Sequence, residues 1–340
     1  MLILNRPNKL KAPSPQSIQY EIISRIQQSE YGLKIAVTWF TNRSIFEAIL
    51  QKIANPNYTV EMIVLNDRIN NKSEGLDFQK FINQKGKFFY SSTENMVHHK
   101  FCIIDNKLVI TGSYNWTYYA ERRNWENVVV INDHNIVQAY SEEFDEITKS
   151  HLRVFSIASK RKFDDEIGTL DYLKVDYQIE AEEEQEKGNN LAAAKIYTEL
   201  LRLDNSQINV QNERDKIIKL YNNQERVHIT PFEIGILHKE GYSKVIPAFT
   251  SLPLQSPITT SAVTVVDDQP SIHITIQKRD IDIQTILELD LLNIQPSPKG
   301  TEKIQYTFNI DNFGNCVILV KELGGFEQSV SGKINLKNYR

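Results

Sequence analysis

The sequence predicts an α/β domain at the N-terminus, a short helical segment after it and an all-β sandwich at the C-terminus. Three observations support this division. Strand and helix patterns alternate over the first 150 residues, two helical patterns follow, and short alternating strands separated by Pro and Gly fill the remainder. A chain of 340 residues is long enough for two or three domains. We expect them at 1–155, 156–225 and 226–340.

The first domain opens with a predicted helix over Ser14–Gln28, for which Ser17 is a possible cap. Strands and helices then alternate, with strands at Leu33–Phe40, Tyr58–Leu65 and Lys87–Tyr90 and helices beginning near Thr41 and at Phe78. The last helix covers Ile136–Ile147 and carries one apolar stripe, formed by Val137, Tyr140, Phe144 and Ile147. This order predicts a sheet flanked by helices.

Polar residues stand at the start of a strand in the middle of this domain. In a strand that begins at His98, alternation places His98 and Lys100 on one face, and His99 with Phe101 on the other. An imidazole and an ammonium group then point the same way, whereas we expect His99 to serve packing.

The next strand brings further polar residues to the same place. After a turn at 105–107, Leu108–Thr111 returns antiparallel and delivers Ser113 and Asn115 to the end of the sheet where Lys100 lies. A nucleophile, a fixed positive charge and two neutral hydrogen-bonding groups converge there. This set suits a phosphoryl group better than a carbonyl, because phosphoryl transfer depends on positioning and charge stabilisation.

The ordered motif resembles the H-x-K-x4-D and G-S-x-N signature of the phospholipase D superfamily. The matching residues are His98, Lys100, Asp105, Gly112, Ser113 and Asn115. The family also places a Glu-Asn pair before the following strand, where Glu126-Asn127 stands. The resemblance covers about residues 15–150. The motif occurs once, and members with one copy build their active site at a homodimer interface.

The resemblance implies a hydrolase that cleaves phosphodiesters. No cluster of carboxylates has the spacing of a two-metal site, so we expect the reaction to need no metal, and we expect no cofactor. His98 would attack phosphorus and form a phosphohistidine, while His98 of a second copy protonates the leaving oxygen and then activates water. Lys100 from both chains would hold the nonbridging oxygens, helped by Ser113 and Asn115.

Two acidic residues of the motif have different expected roles. Glu126 would accept a hydrogen bond from the second ring nitrogen of His98 and fix its tautomer. Asp105 falls on the opposite face by alternation, at a turn, so we expect it to be structural.

The substrate is less closely defined by the sequence. Arg122 and Arg123 could contact flanking phosphates, and one of four aromatic residues could stack on bases unless they belong to the core: Trp116, Tyr118, Tyr119 and Trp125. The first hypothesis is therefore an endonuclease acting on DNA or RNA. The alternatives are a phospholipase acting on a lipid head group, and a non-catalytic adaptor whose N-terminal half only dimerises.

The distribution of charged residues does not predict an extended basic surface for binding nucleic acid. Residues 1–155 contain 18 Lys and Arg against 16 Asp and Glu, and the remainder contains 21 against 27. Contacts with nucleic acid must then be local to the site.

Residues from about 155 to 170 contain opposite charge runs, Lys160-Arg161-Lys162 and Asp164-Asp165-Glu166, and are predicted to be a linker or a fraying helix end. Helical patterns over 171–187 and 190–203 follow and resemble one tetratricopeptide-type hairpin. A single repeat cannot bury its own face, so a spacer or dimer-support role is favoured over peptide binding.

The third region resembles the substrate-binding β-domain of DnaK-type heat-shock chaperones. The motifs lie in order at Thr230–Ile236, Asp267–Ile272, Ile294–Gly300 and Ile304–Gly314. The resemblance implies a cleft for an apolar peptide or protein partner, lined by Ile236, Val265, Ile272, Ile274 and Ile304. These side chains would otherwise simply fill the core of a sandwich. The segment His238–Lys244 is shorter than the corresponding family region, and no ATPase domain is present.

Cellular location follows from composition. No apolar run approaches the roughly 20 residues of a membrane span, and no secretory signal is visible at the start. Cys102 and Cys316 have no metal-site or disulfide spacing. These features predict a cytoplasmic protein without membrane contact.

Overall fold

A computed structural model describes residues 1–5, 17–157, 169–223, 225–238 and 241–339. The chain divides into two compact units, Met1–Glu183 and Glu184–Arg340. The charge runs of the predicted linker lie outside the described residues, as do the first residues of the predicted opening helix.

The first unit is an α/β structure. Its strands are β1 (Leu2–Asn5), β2 (Gly32–Val37), β3 (Thr59–Leu65), β4 (Lys87–Ser91), β5 (Lys100–Ile104), β6 (Leu108–Gly112), β7 (Glu126–Ile131) and β8 (Arg153–Val154). Its helices are α1 (Ile18–Gln28), α2 (Arg43–Ile53), α3 (Phe78–Asn83), α4 (Tyr118–Arg123), α5 (His134–Lys149) and the beginning of α6 (Thr169–Glu186).

The eight strands form one sheet in the order β1-β7-β6-β5-β2-β3-β4-β8. Strands β2, β3 and β4 are parallel, and the other pairs are antiparallel. One face packs against α1, α2 and α3, and the other against α5, where Val137 and Phe144 are buried. A sheet between helices confirms the fold class predicted for the N-terminal region.

Helix boundaries follow from capping residues. Ser17 caps α1 by accepting a hydrogen bond from the Tyr20 amide at 3.1 Å, as predicted. Asn42 caps α2 in the same way, accepting from the Ile45 amide at 3.1 Å. Both caps satisfy amides of the first turn, which would otherwise lack a partner. They therefore fix the residue at which each helix begins.

Helix α6 is held to the first unit by buried ion pairs. The ammonium of Lys72 donates to Asp176 at 2.7 Å and to Glu180 at 2.8 Å, and all three side chains are almost fully buried. Arg43 also pairs with Glu180 at 2.9 Å. A buried charge is stable only when an opposite charge lies beside it. These ion pairs therefore hold α6 against the domain.

The second unit contains helices α7 (Asn190–Leu203) and α8 (Ile208–Tyr221) and two four-stranded antiparallel sheets. Its strands are β9 (Glu233–His238), β10 (Gly241–Ile246), β11 (Ile258–Val263), β12 (Ser271–Arg279), β13 (Ile283–Leu292), β14 (Lys303–Ile310), β15 (Asn315–Leu323) and β16 (Ser329–Asn335). The sheet orders are β10-β9-β12-β13 and β11-β14-β15-β16. The all-β prediction for the C-terminal region is confirmed.

The helical prediction was incomplete, because α8 was missed. Helix α7 packs against α8, and Arg214 of α8 donates to Thr198 of α7 at 2.7 Å. The sequence of α8 buries only Val210, Arg214 and Ile217, too few apolar positions to reveal its period.

The predicted peptide-cleft residues differ in burial. Ile236, Ile274 and Ile304 are 2%, 1% and 0% exposed and belong to the core between the two sheets. Ile272 is partly buried against the same core, and Val265 is 60% exposed. Alternation explains the difference, because inward positions of a two-sheet sandwich fill its interior.

No helix in the described part of the chain combines the length and the apolar character needed to cross a bilayer.

Candidate active site

Three neighbouring strands meet with their polar ends at one edge of the sheet. Lys100 is the first residue of β5, Ser113 follows the last residue of β6, and Glu126 is the first residue of β7. Because β5, β6 and β7 are adjacent and antiparallel, these ends coincide. The convergence predicted from the motif is therefore formed.

Gly112 allows β6 and β7 to approach closely at this edge. A β-carbon at this position would overlap the carbonyl oxygen of Asn127 and lie 2.8 Å from the Cα of Val128. Any larger residue would separate the strands that carry Ser113 and Glu126.

Ser113 and Glu126 are hydrogen-bonded partners. The Ser113 hydroxyl donates to Oε2 of Glu126 and accepts from the Asn127 amide at 3.1 Å. The other oxygen, Oε1 of Glu126, accepts from the Asn124 side chain at 2.9 Å. Glu126 is 8% exposed, so these bonds compensate for the burial of its carboxylate.

Lys100 is held by backbone and hydroxyl groups. Its ammonium donates to the carbonyl of His98 at 2.8 Å and to Oγ1 of Thr38 at 3.1 Å. Burial lowers the pKa of Lys100 to about 8, and the negative charge of Glu126 opposes that shift. The lysine therefore remains largely charged at neutral pH and loses its proton in mildly alkaline solution.

His98 precedes β5 and is exposed. Burial of part of the ring and the positive charges of Lys100 and His99 lower its pKa below the usual value. The neutral imidazole is therefore favoured at pH 7, as a nucleophile requires. The expected hydrogen bond from His98 to Glu126 is not formed among the described residues, where the two carboxylate oxygens of Glu126 accept from Ser113 and Asn124.

His99 points to the opposite side of the strand. Its ring lies 5.3 Å from that of Phe101, and its Nε2 lies 3.1 Å from a carboxylate oxygen of Glu143 on α5. The predicted alternation of His98 and Lys100 against His99 and Phe101 agrees with these contacts.

Asn115 joins the site through the end of β2. Its Oδ1 accepts from the amide of Trp39 at 3.3 Å. The neighbouring Thr38 amide donates to the carbonyl of His99 at 3.1 Å. The segment Thr38-Trp39 thus links Asn115 to the strand start that carries Lys100.

Asp105 lies in a turn, on the position that strand alternation predicted, and forms hydrogen bonds to the backbone. It lies in the β5–β6 turn with φ +55°, and its carboxylate accepts from the amides of Glu30, Tyr31 and Gly32 at 2.8, 2.7 and 3.0 Å. These bonds fasten the turn to the start of β2, at the opposite end of the strands from Lys100.

The two predicted phosphate-binding arginines differ. Arg122 donates to Glu183 of α6 at 3.0 Å and is mostly buried, so its guanidinium already serves an ion pair. Arg123 is exposed. Of these two residues of α4, Arg123 is the more accessible to solvent.

The four aromatic residues that were candidates for base stacking differ in burial. Trp116 and Tyr118 are core residues at 2% and 0% exposure, whereas Trp125 is 73% exposed. Tyr119 is partly exposed and stacks on Tyr172 of α6, with centroids 4.4 Å apart. Core packing therefore explains the first two.

Sequence reasoning missed Thr38, Trp39 and Tyr172. Thr38 and Trp39 lie near the end of the predicted strand that pairs with β5. Once the order of the strands is known, their position predicts that they lie close to Lys100. Tyr172 comes from a helix that the motif does not include. Within the described part of the chain, no three His, Cys, Asp or Glu side chains are grouped to hold a metal ion.

Comparison with known proteins agrees with this geometry. The family described as "Cardiolipin synthase, PLD-like domain" matches residues 22–148. These residues form a PLD-like domain, as the motif predicted.

Curated relatives are similar to part of this chain. A mitochondrial cardiolipin hydrolase of Chlamydomonas reinhardtii is 34% identical over 115 residues, which is 34% of this chain and 50% of the relative. A phospholipase D of Rickettsia conorii is 28% identical over 123 residues, covering 36% and 60% respectively. The chain spans about half to two thirds of the length of these relatives.

A solved structure is also similar to part of this chain. The phospholipase D family member Nuc from Salmonella typhimurium is 22% identical with a TM-score of 0.39, and the match covers 46% of this chain and 97% of that protein.

Proposed function

We propose that the protein is a metal-independent phosphodiesterase whose preferred substrate is nucleic acid. The observation that carries this proposal is the convergence of His98, Lys100 and the Ser113–Glu126 pair at one sheet edge. Lys100 supplies positive charge for the nonbridging oxygens, and Ser113 and Asn115 supply hydrogen bonds.

His98 is the proposed nucleophile. Its Nε2 or Nδ1 forms a bond to phosphorus as the bond to the leaving oxygen breaks, giving a phosphohistidine and an alcohol that takes one proton. Water then attacks phosphorus and returns free His98 and a phosphomonoester. The lowered pKa of His98 supports the neutral ring needed for the first step.

An acid is also required to protonate the leaving oxygen. The sequence contains a single copy of the motif, and its His98 is already used as the nucleophile. We propose that a second copy of the chain supplies its own His98 across a two-fold axis, giving one active site per homodimer. The exposure of His98 supports this arrangement, because a buried ring could not face a partner.

The curated relatives favour a second candidate, hydrolysis of a phospholipid. Their printed names are cardiolipin hydrolase and phospholipase D. Met96 and Trp125 are 46% and 73% exposed near the site and could contact acyl chains. Partly exposed rings of Trp39 and Tyr119 beside the site support nucleic acid instead, since aromatic faces stack on bases.

The C-terminal unit is proposed to bind a peptide or protein partner that recruits or regulates the enzyme, with a role in cell defence as a further hypothesis. Its buried isoleucines do not support a cleft, but β11 is an edge strand that ends at exposed Val263, followed by exposed Val265 and Val266. An extended apolar segment could pair there. Val265→Asp should then weaken binding of an apolar peptide, whereas Leu220→Asp on α8 should not.

Cytoplasmic location stays part of the proposal. Cys102 and Cys316 are buried free thiols, which suits a reducing compartment.

The test is cleavage in EDTA of single-stranded DNA, duplex DNA, RNA and cardiolipin vesicles. The proposal expects nucleic-acid cleavage that His98→Ala abolishes and His134→Ala preserves, because His134 is an exposed histidine at the start of α5. Cleavage of vesicles alone would favour the lipid candidate. Activity that survives His98→Ala would refute the histidine mechanism.

A further inference from the structure

The Thr38 hydroxyl lies between Lys100 and the segment that carries His98. Its Oγ1 accepts from the Lys100 ammonium at 3.1 Å and lies 3.2 and 3.4 Å from the carbonyl oxygens of Val97 and His99. Carbonyl oxygens can only accept, so the hydroxyl donates its proton to them and keeps a lone pair for the ammonium. The backbone amide of Thr38 also donates to the carbonyl of His99, at 3.1 Å. One residue therefore contacts both neighbours of His98 and the end of the Lys100 side chain.

These contacts leave one direction of the Lys100 ammonium open to a ligand. An ammonium has three N–H groups. In the described part of the chain, that of Lys100 donates to Thr38 and to the carbonyl of His98, at 3.1 and 2.8 Å. The third N–H is left for a nonbridging oxygen. Because two acceptors already fix this long side chain, less conformational entropy is lost when a phosphate binds.

Thr38 is itself held by the backbone around it. The residue follows β2 and is 0% exposed. Its carbonyl accepts from the Asn70 side chain at 2.8 Å and from the Leu65 amide at 3.1 Å. Asn70 is 2% exposed, and its side chain also accepts from the amide of Phe40 at 2.7 Å. The position of the Thr38 hydroxyl is therefore set by contacts within the domain.

We propose that Thr38 is a positioning residue for phosphodiester cleavage, whose hydroxyl directs the Lys100 ammonium at a nonbridging oxygen of the substrate. The inference rests on the proposed phosphodiesterase function, and it applies equally to a nucleic acid and to a lipid substrate. The hydroxyl also favours the charged form of Lys100, because it accepts a hydrogen bond from that form. Glu126 on β7 and His98 are the titratable groups that interact with Lys100 among the described residues, and Glu126 favours the ammonium as well.

The test compares Thr38→Val with Thr38→Ser in the full chain. Valine keeps the shape of threonine and loses the hydroxyl, whereas serine keeps the hydroxyl and loses a methyl group. The probe is bis(4-nitrophenyl) phosphate in EDTA, a phosphodiester whose nitrophenolate group leaves without an acid. Thr41→Val is the matched control, because Thr41 is buried in the same segment and its hydroxyl has no hydrogen-bond partner within the described residues.

Thr38→Val should lower kcat/KM about tenfold or more, the order expected for a hydrogen bond to a charged group. The pH above which 1/KM falls lies near the Lys100 pKa of about 8 in the wild type and should be lower in Thr38→Val, because removal of an acceptor disfavours the ammonium. Thr38→Ser and Thr41→Val should stay close to wild type in both measurements. Circular dichroism checks folding, and Thr38→Ala, which also removes the hydroxyl, replaces Thr38→Val if that variant fails to fold.

Wild-type kcat/KM and an unchanged pH dependence in Thr38→Val, with His98→Ala inactive, would overturn the positioning role and leave the proposed function standing. A loss of activity that Thr38→Ser shares, or one without a change in the pH dependence, would also overturn it, since either result points to packing alone. A wild-type protein that does not cleave the probe would overturn both proposals.

Discussion

The hydroxyl of Ser113 donates a hydrogen bond to the buried carboxylate of Glu126, across the end of the β6–β7 pair. The same carboxylate raises the pKa of Lys100 against the effect of burial. The Glu126 carboxylate therefore orients the Ser113 hydroxyl and favours the protonated form of Lys100 in the same site. Removal of that charge has consequences that can be measured.

Glu126→Gln should move the alkaline limb of the pH–rate profile to lower pH. Lys100 must be charged to bind phosphate, so substrate binding, measured as 1/KM, weakens above its pKa of about 8, at higher pH than the loss of the protonated His98 that acts as acid. Without the Glu126 carboxylate that pKa drops further, so activity declines earlier. Lys100→Arg should show the reverse, because a guanidinium stays charged beyond pH 12. An unchanged limb in both variants would assign it to another group.

Gly112→Ala should lower both stability and activity. The new methyl group overlaps the β7 backbone and displaces Ser113 from Glu126, at an expected loss of about 1–3 kcal/mol in the free energy of unfolding. We expect kcat to fall at least tenfold, on the order of the loss from a misplaced catalytic group.

Gly332→Ala is the matched control for this change. Its β-carbon would meet the Leu287 side chain at 2.6 Å, in the C-terminal unit. Urea unfolding should show a smaller loss of stability, because the end of the Leu287 side chain can move away, and kcat should stay unchanged. Equal kinetic effects in both variants would refute a local role for Gly112.

Asp105→Ala should destabilise the protein without changing the chemistry. Three backbone amides lose their acceptor, which predicts a loss of about 1–3 kcal/mol in unfolding free energy. At a temperature where the variant is folded, kcat should remain within about threefold of wild type. A folded variant that has lost nearly all activity would instead place Asp105 in the catalytic machinery.

Mixed dimers should reveal whether two copies share one site. When wild-type and His98→Ala chains are unfolded, mixed and refolded together, the activity should fall with the square of the wild-type fraction, since both histidines are required. Independent sites would give a linear fall. His134→Ala chains in place of His98→Ala should leave the activity unchanged.

The local part of the site could be read from the sequence. Lys100, Ser113 and Glu126 lie on consecutive antiparallel strands, so chain order and alternation alone bring them together. The helix stripes of α2 and α5 were equally clear, because their apolar residues repeat at helical spacing.

The missing parts depend on contacts distant in sequence. Tyr172 meets Trp39 across more than a hundred residues, and no periodic pattern predicts such a pair. Arg122 was expected to bind phosphate, but its partner Glu183 lies on a helix whose docking site the sequence does not reveal. The inward isoleucines of the sandwich match a cleft motif and a core equally well, and only packing distinguishes the two.

Lys72 sets a lower limit on how far the N-terminal enzyme can be shortened. A chain ending near residue 148 would remove Asp176 and Glu180, the two counter-charges of Lys72, together with the Tyr177 ring that covers its ammonium. The residues that α6 buries would then face solvent, and the domain would lose stability. Helix α6 is thus part of the folded N-terminal domain. A truncated version of this protein should end beyond Glu183.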